Sequence, residues 1–577
     1  MNIKSIATRL MIGYIFLIMI SCNSSKTGPE PNVNGENATV ISGWQDQKFS
    51  MFIHWGLYSI PAGIWNGKQI SGYSEQIKGH AKIPTEEYQK LAAGFNPTMW
   101  DADSIVSLAK KAGMKSIIIT SKHHDGFCMF ESEYTQFDIV DATPYKKDII
   151  KDLADACKQN GLKFGVYFSL IDWDYDGAMP FMSTRNSDSI PPKHHEYNLN
   201  QIRELLTNYG EISELWFDMG APTYKQSAEL VGLVKELQPH CMVSGRIWND
   251  QGDFVVMGDN YQPEFKMGVP WQTPASMFDE TWGYRSWQER PDVEAKINEK
   301  IHDLLNIVSS GGNYLLNIGP KADGTVVPFE RQVLEGIGQW LEANGEAIYS
   351  AKASPVDNQE WGLITSKPGK LYLHLTQYPE NNKLTIKGLN ADIIKAAPLA
   401  DTSFPLNTKI TGSGLEIHLS DEITKDKYAT VIVLEYKDEL TYISPKALKP
   451  NENGAFVLTP DNAEKYHSYS GHDYYSTKPT VIKLTWDVLN DSKEPFEVKI
   501  AYPAHIKDKR WNLTINDEKF LVPVLDPNTN LKNGTPQTIG LARLHTGKIN
   551  RIELSSEDQS NPHKGLNIDG LRIMLSE

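Results

Sequence analysis

The sequence predicts an α/β protein, with a (β/α)8 TIM-like barrel followed by two antiparallel β-sandwich domains. Short apolar runs alternate with amphipathic helices from residue 48 to about residue 345, which is typical of parallel α/β proteins. After about residue 350 the helical period gives way to alternating apolar and polar residues, which indicates antiparallel strands. A second all-β stretch begins near residue 440. We therefore expect the barrel at 44–347, one sandwich at 348–438 and a second at 439–577.

Six barrel strands are predicted from clear apolar runs and two from weaker signals. The six are Phe49–His54, Ser116–Ser121, Phe164–Leu170, Glu214–Asp218, Met242–Arg246 and Tyr314–Ile318. The other two are expected near Asp253–Asp259 and Thr281–Tyr284, where the pattern is irregular. Amphipathic helices lie between the runs, such as the helix that ends at Gly113 and the helix before Pro239. Repeated strand and helix units of this kind assemble into a barrel.

The first 22 residues have the features of an export signal. Lys4 and Arg9 precede an apolar run, Leu10–Ile20, that is too short to span a membrane comfortably. The run ends at Ser21-Cys22, which resembles a bacterial lipobox and predicts lipidation of Cys22. Residues 23–39 carry almost no apolar side chains, and the segment 23–43 is expected to form a flexible tether. The predicted location is therefore outside the cytoplasm, on the periplasmic side or at the outer membrane.

Composition excludes several classes of partner. The net charge is −15 and no long basic run occurs, so nucleic acid is not an expected partner. Cys128, Cys157 and Cys241 are widely spaced and predict neither disulfides nor a cysteine-rich metal site. His123 and His124 are adjacent, and neighbouring residues on a strand point to opposite faces, so they are not expected to share a zinc ion. No metal or cofactor is predicted, and the oligomeric state stays open.

Candidate reactive groups follow the strands, because side chains at the C-terminal ends of barrel strands gather around one pocket. His54, Tyr167 and Asp218 lie at or near such ends. A carboxylate beside aromatic residues suits a nucleophile for sugar chemistry, since it can attack a developing oxocarbenium carbon. The reaction also needs a second carboxyl group, about 5–5.5 Å away for retention of configuration and about 6.5–9.5 Å away for inversion. The sequence alone leaves that choice open.

Four sequence blocks surround these candidates. They are Lys48–Ser59, Ser121–Phe127, Trp216–Asp218 and Gly311–Pro320. In this order they resemble the signature blocks of α-L-fucosidases of glycoside hydrolase family 29. The resemblance covers about residues 44–437, which include the barrel and the first sandwich, and it leaves the last domain unexplained.

The resemblance implies roles for residues at matching positions. Asp218 takes the position of the family's nucleophile, and Arg246 resembles an arginine near the acid/base. Contacts with the fucose ring and its hydroxyl groups are implied for His54, Glu75, His123, His124, Tyr167, Trp216, Arg246 and Trp282.

The general acid/base is harder to assign. One family position is a Trp-Glu pair before a Trp-Gly-Tyr run, but the corresponding pair here is Trp271-Gln272, and glutamine cannot act as an acid. Some family members place the acid/base in a loop near the position of Glu264. We therefore expect Glu264 to be the acid/base, with Glu280 as the next candidate.

The function implied by the resemblance is that of a retaining exo-glycosidase. Such an enzyme would remove terminal α-L-fucosyl groups from oligosaccharides or glycoconjugates through a covalent fucosyl-Asp intermediate. One alternative is a catalytically inactive glycan-binding protein on the same scaffold, which Gln272 motivates. Another is a hydrolase of a related sugar such as α-L-galactose, which differs from L-fucose by a hydroxyl group at C6.

The last domain has two candidate roles. It either binds carbohydrate and holds the enzyme on a polymer, or it packs against the barrel as a structural sandwich. An exposed Trp511 or exposed tyrosines would favour carbohydrate binding, because flat aromatic surfaces stack on sugar rings.

Overall fold

The structure is a computed structural model that describes residues 35–182, 185–502, 511–522, 535–557 and 561–577. The predicted signal segment, Cys22 and the first part of the predicted tether lie outside these residues. Within the described ranges, no helix combines the length and the apolar character needed to cross a bilayer.

Eight parallel strands form a curled sheet in the first half of the chain. They are β1 (Phe49–Ile53), β2 (Ser116–Lys122), β3 (Lys163–Ser169), β4 (Glu214–Asp218), β5 (Met242–Val243), β6 (Val255–Val256), β7 (Trp271–Ala275) and β8 (Asn313–Ile318). Their order in the sheet is β5-β4-β3-β2-β1-β8-β7-β6. A parallel bridge between Ser244 and Phe254 joins its two edges. The predicted fold class, a barrel followed by antiparallel sheet domains, is confirmed.

Seven longer helices accompany the barrel. They are α1 (Gly35–Gln45), α2 (Ala102–Lys111), α3 (Ile149–Asn160), α4 (Pro192–Asn208), α5 (Tyr224–Leu237), α6 (Val293–Ser309) and α7 (Pro328–Asn344). Local sequence explains their ends: Asp101 and Asp148 cap the N-termini of α2 and α3, and Gly161 ends α3 with a φ of 67°. No α-helix follows β5 or β6 in residues 244–270, which are all described. Long loops replace the helices there.

Shorter elements lie between the longer strands and helices along the chain. Two short α-helices span Ile77–His80 and Thr85–Gln89, and a small hairpin pairs Ile64–Trp65 with Lys68–Gln69. Single 3-10 turns span Leu57–Ser59, Ser74–Gln76, Lys90–Gly94, Gly245–Ile247 and Gly345–Ala347.

The seventh strand lies elsewhere than predicted. We expected it near Thr281–Tyr284, but those residues belong to a loop, and β7 is Trp271–Ala275. Pro270 precedes β7 and Pro274 lies inside it, and proline normally argues against a strand because it has no backbone N–H to donate. Every residue of β7 is nevertheless buried, and the strand pairs with β6 and β8.

Helix α1 occupies part of the segment predicted to be a flexible tether. The prediction was wrong for residues 35–43, because a low apolar content was taken to mean that the segment does not pack. Trp44, near the end of α1, donates a hydrogen bond from Nε1 to Glu214 Oε2 at 2.7 Å and stacks on Phe254 with ring centroids 4.3 Å apart. Asn313 Nδ2 also donates to the Trp44 carbonyl at 2.8 Å. Trp44 thus attaches the helix to the barrel, and Val40 and Ile41 pack against the same apolar cluster.

Two antiparallel domains follow the barrel, each with its own apolar core. The first contains β9 (Lys352–Ala353), β10 (Gly362–Lys367), β11 (Lys370–Leu375), β12 (Lys383–Lys387), β13 (Leu389–Pro398), β14 (Asn407–Thr411), β15 (Gly414–His418) and β16 (Thr430–Tyr442). Its sheets have the orders β9-β10-β11-β16-β13 and β12-β15-β14.

The second domain contains β17 (Phe456–Leu458), β18 (Glu464–Ser470), β19 (Lys478–Leu489), β20 (Phe496–Ala501), β21 (Trp511–Ile515), β22 (Glu518–Leu521), β23 (Gln537–Ala542), β24 (Ile549–Ser556) and β25 (Arg572–Ser576). Its smaller sheet has the order β17-β25-β20-β23. Its larger sheet has the order β22-β21-β24-β19-β18 and gains a further strand, Lys266–Met267, from the loop after β6. A short strand from a barrel loop therefore belongs to a sheet of the last domain.

Replacing Trp44 tests the role of α1. We expect Trp44→Ala to lower the free energy of unfolding of the barrel by about 3–5 kcal/mol, because it leaves a cavity and removes a donor from buried Glu214. Differential scanning calorimetry should show a Tm roughly 5–10 °C lower. Phe404→Ala, at a partly exposed ring in the first sandwich, is the control and should leave the Tm nearly unchanged. Equal Tm values for the two variants would contradict this account.

Candidate active site

A cavity of about 220 Å³ opens at the C-terminal ends of the barrel strands. All the predicted site residues line it except Tyr167, Glu264 and Glu280. Its lining consists of Phe52, His54, Tyr73, Glu75, Gln76, His80, His123, His124, Asn186, Trp216, Asp218, Met219, Arg246, Asp259, Trp282 and Tyr474. Strand ends supply most of these residues, as expected for a parallel barrel.

Asp218 is the last residue of β4 and is held by two donors. The Tyr167 hydroxyl donates to Oδ2 at 2.8 Å, and Arg246 Nη1 donates to Oδ1 at 2.9 Å. Burial by itself raises the pKa of this carboxyl, but the charge of Arg246 and the two hydrogen bonds outweigh it and hold the pKa below its ordinary value. Asp218 is therefore ionised at neutral pH although it is buried, as a carboxylate nucleophile requires.

Arg246 connects Asp218 to a second carboxylate, that of Asp259. Its Nη2 atom donates to Asp259 Oδ1 at 2.5 Å and to the Met257 carbonyl at 3.1 Å. The Asp259 side chain is 22% exposed, whereas that of Asp218 is 9% exposed. One guanidinium thus lies between a deep carboxylate and a carboxylate nearer the opening.

Local sequence explains the position of Arg246. It lies in the 3-10 turn Gly245–Ile247 directly after β5. Gly252 packs so closely on this turn that a Cβ atom at residue 252 would lie 2.6 Å from Gly245 Cα. Only glycine fits there. From this turn the Arg246 side chain reaches Asp218 at the end of β4.

Three histidines form one side of the cavity. His54 Nδ1 is 2.7 Å from Asn317 Oδ1, and His124 Nδ1 is 2.7 Å from Ser169 Oγ. Burial lowers the pKa of both rings to about 4, so they are neutral at neutral pH. His123 Nδ1 is buried and has no hydrogen-bond partner among the described residues. Neutral imidazoles can donate or accept, which suits the recognition of hydroxyl groups.

The adjacent histidines do not point to opposite faces, as the sequence had suggested. The ring centroids of His123 and His124 are 3.9 Å apart, and both rings line the cavity. The alternation of a strand does not apply to them, because β2 ends at Lys122 and the chain then turns through Gly126, which has a φ of 85°.

Glu75 and Trp282 are positioned together on another wall. Glu75 Oε2 accepts hydrogen bonds from the backbone N–H groups of Trp282 and Gly283 at 3.1 and 2.9 Å. Burial raises the pKa of Glu75 to about 7 despite these bonds. Asn317 Nδ2 donates to the Trp282 carbonyl at 2.7 Å, so the same asparagine orients His54 and Trp282.

Comparison with known proteins identifies the family. The model of the α-L-fucosidase family matches residues 17–346, which is more than half of the 577 residues. The chain belongs to the α-L-fucosidase family of glycoside hydrolases.

Sequence and structural similarity to individual α-L-fucosidases supports the assignment. The plasma α-L-fucosidase of Homo sapiens is 30% identical over 389 residues, covering 62% of this chain and 81% of that protein. A crystal structure of an α-L-fucosidase from Vibrio sp. strain EJY3 is 26% identical, with a TM-score of 0.65, covering 94% of this chain and 98% of that chain. A family 29 α-L-fucosidase from Bacteroides thetaiotaomicron, solved as a trapped covalent intermediate with 2-fluoro-fucosyl fluoride, is 27% identical with a TM-score of 0.62, covering 69% of this chain and 96% of that chain.

Neither glutamate expected to be the acid/base of the fucosidase is in the cavity. Glu264 is exposed in the loop after β6, and Glu280 has a side chain that is 62% exposed and lies 3.8 Å from Arg285. Asp259, which lines the cavity, was not among the candidates because the search for the acid/base was directed to glutamates. A usable signal existed for Asp259: it closely follows β6, at the C-terminal end of a barrel strand. Tyr73 and Tyr474 were also missed.

Gln272 is a barrel residue and does not line the cavity. It is 1% exposed, accepts a hydrogen bond from Trp216 Nε1 at 3.0 Å and donates to Glu214 Oε1 at 3.2 Å. Its amide therefore orients the Trp216 ring from inside the barrel. The sequence had suggested that Gln272 marks the loss of an acid, but its position gives that interpretation no support.

Changing Gln272 to glutamate tests whether residue 272 orients Trp216 inside the barrel or stands where an acid was lost. We expect Gln272→Glu to lower the Tm of the fucosidase without raising kcat. The substitution buries a second carboxyl against Glu214, whose own pKa burial has already raised to about 7. Thermal denaturation and hydrolysis of 4-nitrophenyl α-L-fucoside are the measurements. A rise in kcat at an unchanged Tm would show instead that residue 272 faces the substrate.

Proposed function

We propose that the chain is a retaining exo-α-L-fucosidase in which Asp218 is the nucleophile and Asp259 the acid/base. The observation that carries the proposal is the pair of carboxylates bridged by Arg246 in one cavity. The trapped covalent intermediate of the Bacteroides thetaiotaomicron relative supports a two-step mechanism with an enzyme-bound sugar.

In the first step Asp218 attacks the anomeric carbon of the fucosyl group. This forms a fucosyl ester of Asp218. At the same time the bond between the anomeric carbon and the leaving oxygen breaks, and Asp259 transfers its proton to that oxygen. Asp259 suits this role better than Glu75, because it is partly exposed, whereas the Oε2 atom of buried Glu75 is occupied by two backbone N–H groups. The leaving group must depart through the opening, where Asp259 lies.

In the second step a water molecule attacks the anomeric carbon of the ester. Asp259 removes a proton from that water, the ester bond breaks, and Asp218 regains its charge. Two inversions at one carbon give net retention.

The cavity favours L-fucose over L-galactose. Neutral histidines and Glu75 provide partners for ring hydroxyls, while Phe52, Trp216 and Trp282 form an apolar surface suited to a methyl group. The extra C6 hydroxyl of L-galactose would lose its water against such a surface without gaining a hydrogen bond, which costs free energy.

Azide rescue tests both roles. We expect Asp259→Asn to lower kcat for 4-nitrophenyl α-L-fucoside by about 10²–10⁴-fold. Azide needs no base, so added azide should accelerate this variant and give α-L-fucosyl azide. With Asp218→Ala, azide should take the place of the missing carboxylate and give β-L-fucosyl azide. NMR spectroscopy distinguishes the two anomers.

Two variants serve as matched controls for the azide experiment. Glu264→Ala and Glu280→Ala remove exposed carboxylates from neighbouring segments and should keep kcat close to that of the wild type. One result would refute the assignment of the acid/base. In that result Glu264→Ala or Glu280→Ala is inactive and is rescued by azide, while Asp259→Asn is fully active.

We also propose that the enzyme is exported and held on a membrane by lipid attached to Cys22. The support is the sequence alone: a basic start, a short apolar run and Ser21-Cys22 at its end. In a bacterial host, Cys22→Ala should move fucosidase activity from the membrane fraction to the soluble fraction and abolish labelling by a radioactive fatty acid. Cys157→Ala, at a buried cysteine, is the control for thiol loss. Membrane-bound activity of Cys22→Ala would refute the anchor.

A further inference from the structure

The last domain is attached to the loops that carry Arg246 and Asp259. The strand Lys266–Met267, from the loop after β6, pairs with β18 of the last domain. In the loop after β5, the Asn249 N–H donates to the Gly471 carbonyl at 2.9 Å. Asp250 Oδ2 accepts from Ser470 Oγ at 3.0 Å and from Asn561 Nδ2 at 3.3 Å. These contacts fix the connection between β18 and β19 against the active-site face of the barrel.

That connection, residues 471–477, is braced internally. Ser476 Oγ accepts hydrogen bonds from the N–H groups of His472 and Asp473 at 2.9 and 3.0 Å. Asp473 Oδ1 accepts from the N–H groups of Tyr475 and Ser476 at 2.8 Å each. The hairpin therefore presents its tip, Tyr474 and Tyr475, in a defined position.

Tyr474 lies beside the proposed proton donor. It lines the cavity, and its ring centroid is 5.9 Å from the guanidinium carbon of Arg246. Burial and the nearby charge of Asp259 raise the pKa of its hydroxyl. A proton donor faces the oxygen of the bond that breaks, so a ring next to Asp259 is on the leaving-group side of the fucosyl pocket.

Tyr475 continues this aromatic surface outward. Its ring is nearly perpendicular to that of Tyr474, at 89°, with centroids 5.3 Å apart, and the residue is 66% exposed. An exposed tyrosine held in place at a sugar-binding opening offers an apolar face and a hydroxyl at little cost in conformational entropy. Trp511, the aromatic residue that the sequence had suggested for carbohydrate binding, is only 4% exposed and belongs to the core of the last domain.

We propose that the hairpin 471–477 forms the leaving-group subsite, in which Tyr474 and Tyr475 contact the sugar to which the fucosyl group is attached. The inference rests on the proposed function, because the position of Asp259 defines the leaving-group side. The last domain is then part of the active site and helps to select the glycan, in addition to packing against the barrel.

Two substrates that share the fucosyl group separate the subsite from the catalytic centre. α-L-Fucosyl fluoride has a leaving group too small to reach the hairpin, whereas a fucosyllactose places a sugar there. We expect Tyr475→Ala to lower kcat/KM for the best fucosyllactose isomer about tenfold more than kcat/KM for the fluoride. Tenfold corresponds to about 1.4 kcal/mol, within the range of one aromatic contact.

Tyr475→Phe and Phe404→Ala are the controls. Tyr475→Phe keeps the ring and should change the ratio of the two kcat/KM values much less than Tyr475→Ala. Phe404→Ala removes a ring of the first sandwich that is 38% exposed and should leave the ratio unchanged. An unchanged ratio in Tyr475→Ala, with both substrates still cleaved, would overturn the subsite but not the proposed function. A wild-type enzyme that cleaves neither substrate would overturn both.

Discussion

The active site depends on one guanidinium group that lies between two carboxylates. Arg246 donates from separate nitrogen atoms to Asp218 and Asp259 and packs over the Trp216 ring with its guanidinium carbon 5.0 Å from the centroid. A buried carboxylate without a cation would take up a proton, and Asp218 could not then act as a nucleophile. The same interaction sets the position of the second carboxylate relative to the first. The Arg246 side chain therefore both keeps Asp218 ionised and positions Asp259 relative to it.

The missing helices explain how this arrangement is built. Because no α-helix follows β5 or β6, the chain there forms loops that can carry Arg246 and Asp259 over the end of β4. The same loops provide Asn249, Asp250 and the strand Lys266–Met267, which hold the last domain. Arg246, Asp259 and the contacts with the last domain thus share the same two segments.

The sequence predicted those features that depend on repeating local patterns. Apolar runs located most barrel strands, and the rule that reactive groups follow strand ends led to His54 and Asp218. Prediction from the sequence failed where tertiary contacts overrule the local pattern. β7 was not predicted because Pro274 argues against a strand, and the packing of Trp44 was not predicted because the segment before it is polar. Asp259 was missed although it ends the predicted strand Asp253–Asp259, because the search for the acid/base was directed to glutamates. Tyr474 could not have been found at all, because a domain distant in sequence brings it to the cavity.

The central claim is that Asp218 forms a covalent bond with the sugar, and labelling tests it most directly. The enzyme would be treated with 2-fluoro-fucosyl fluoride, digested, and analysed by mass spectrometry. The account predicts one fluorofucosyl group per chain, attached to Asp218, and no label in Asp218→Ala. A label on another residue, or an unlabelled enzyme that releases β-L-fucose as its first product from 4-nitrophenyl α-L-fucoside, would contradict it.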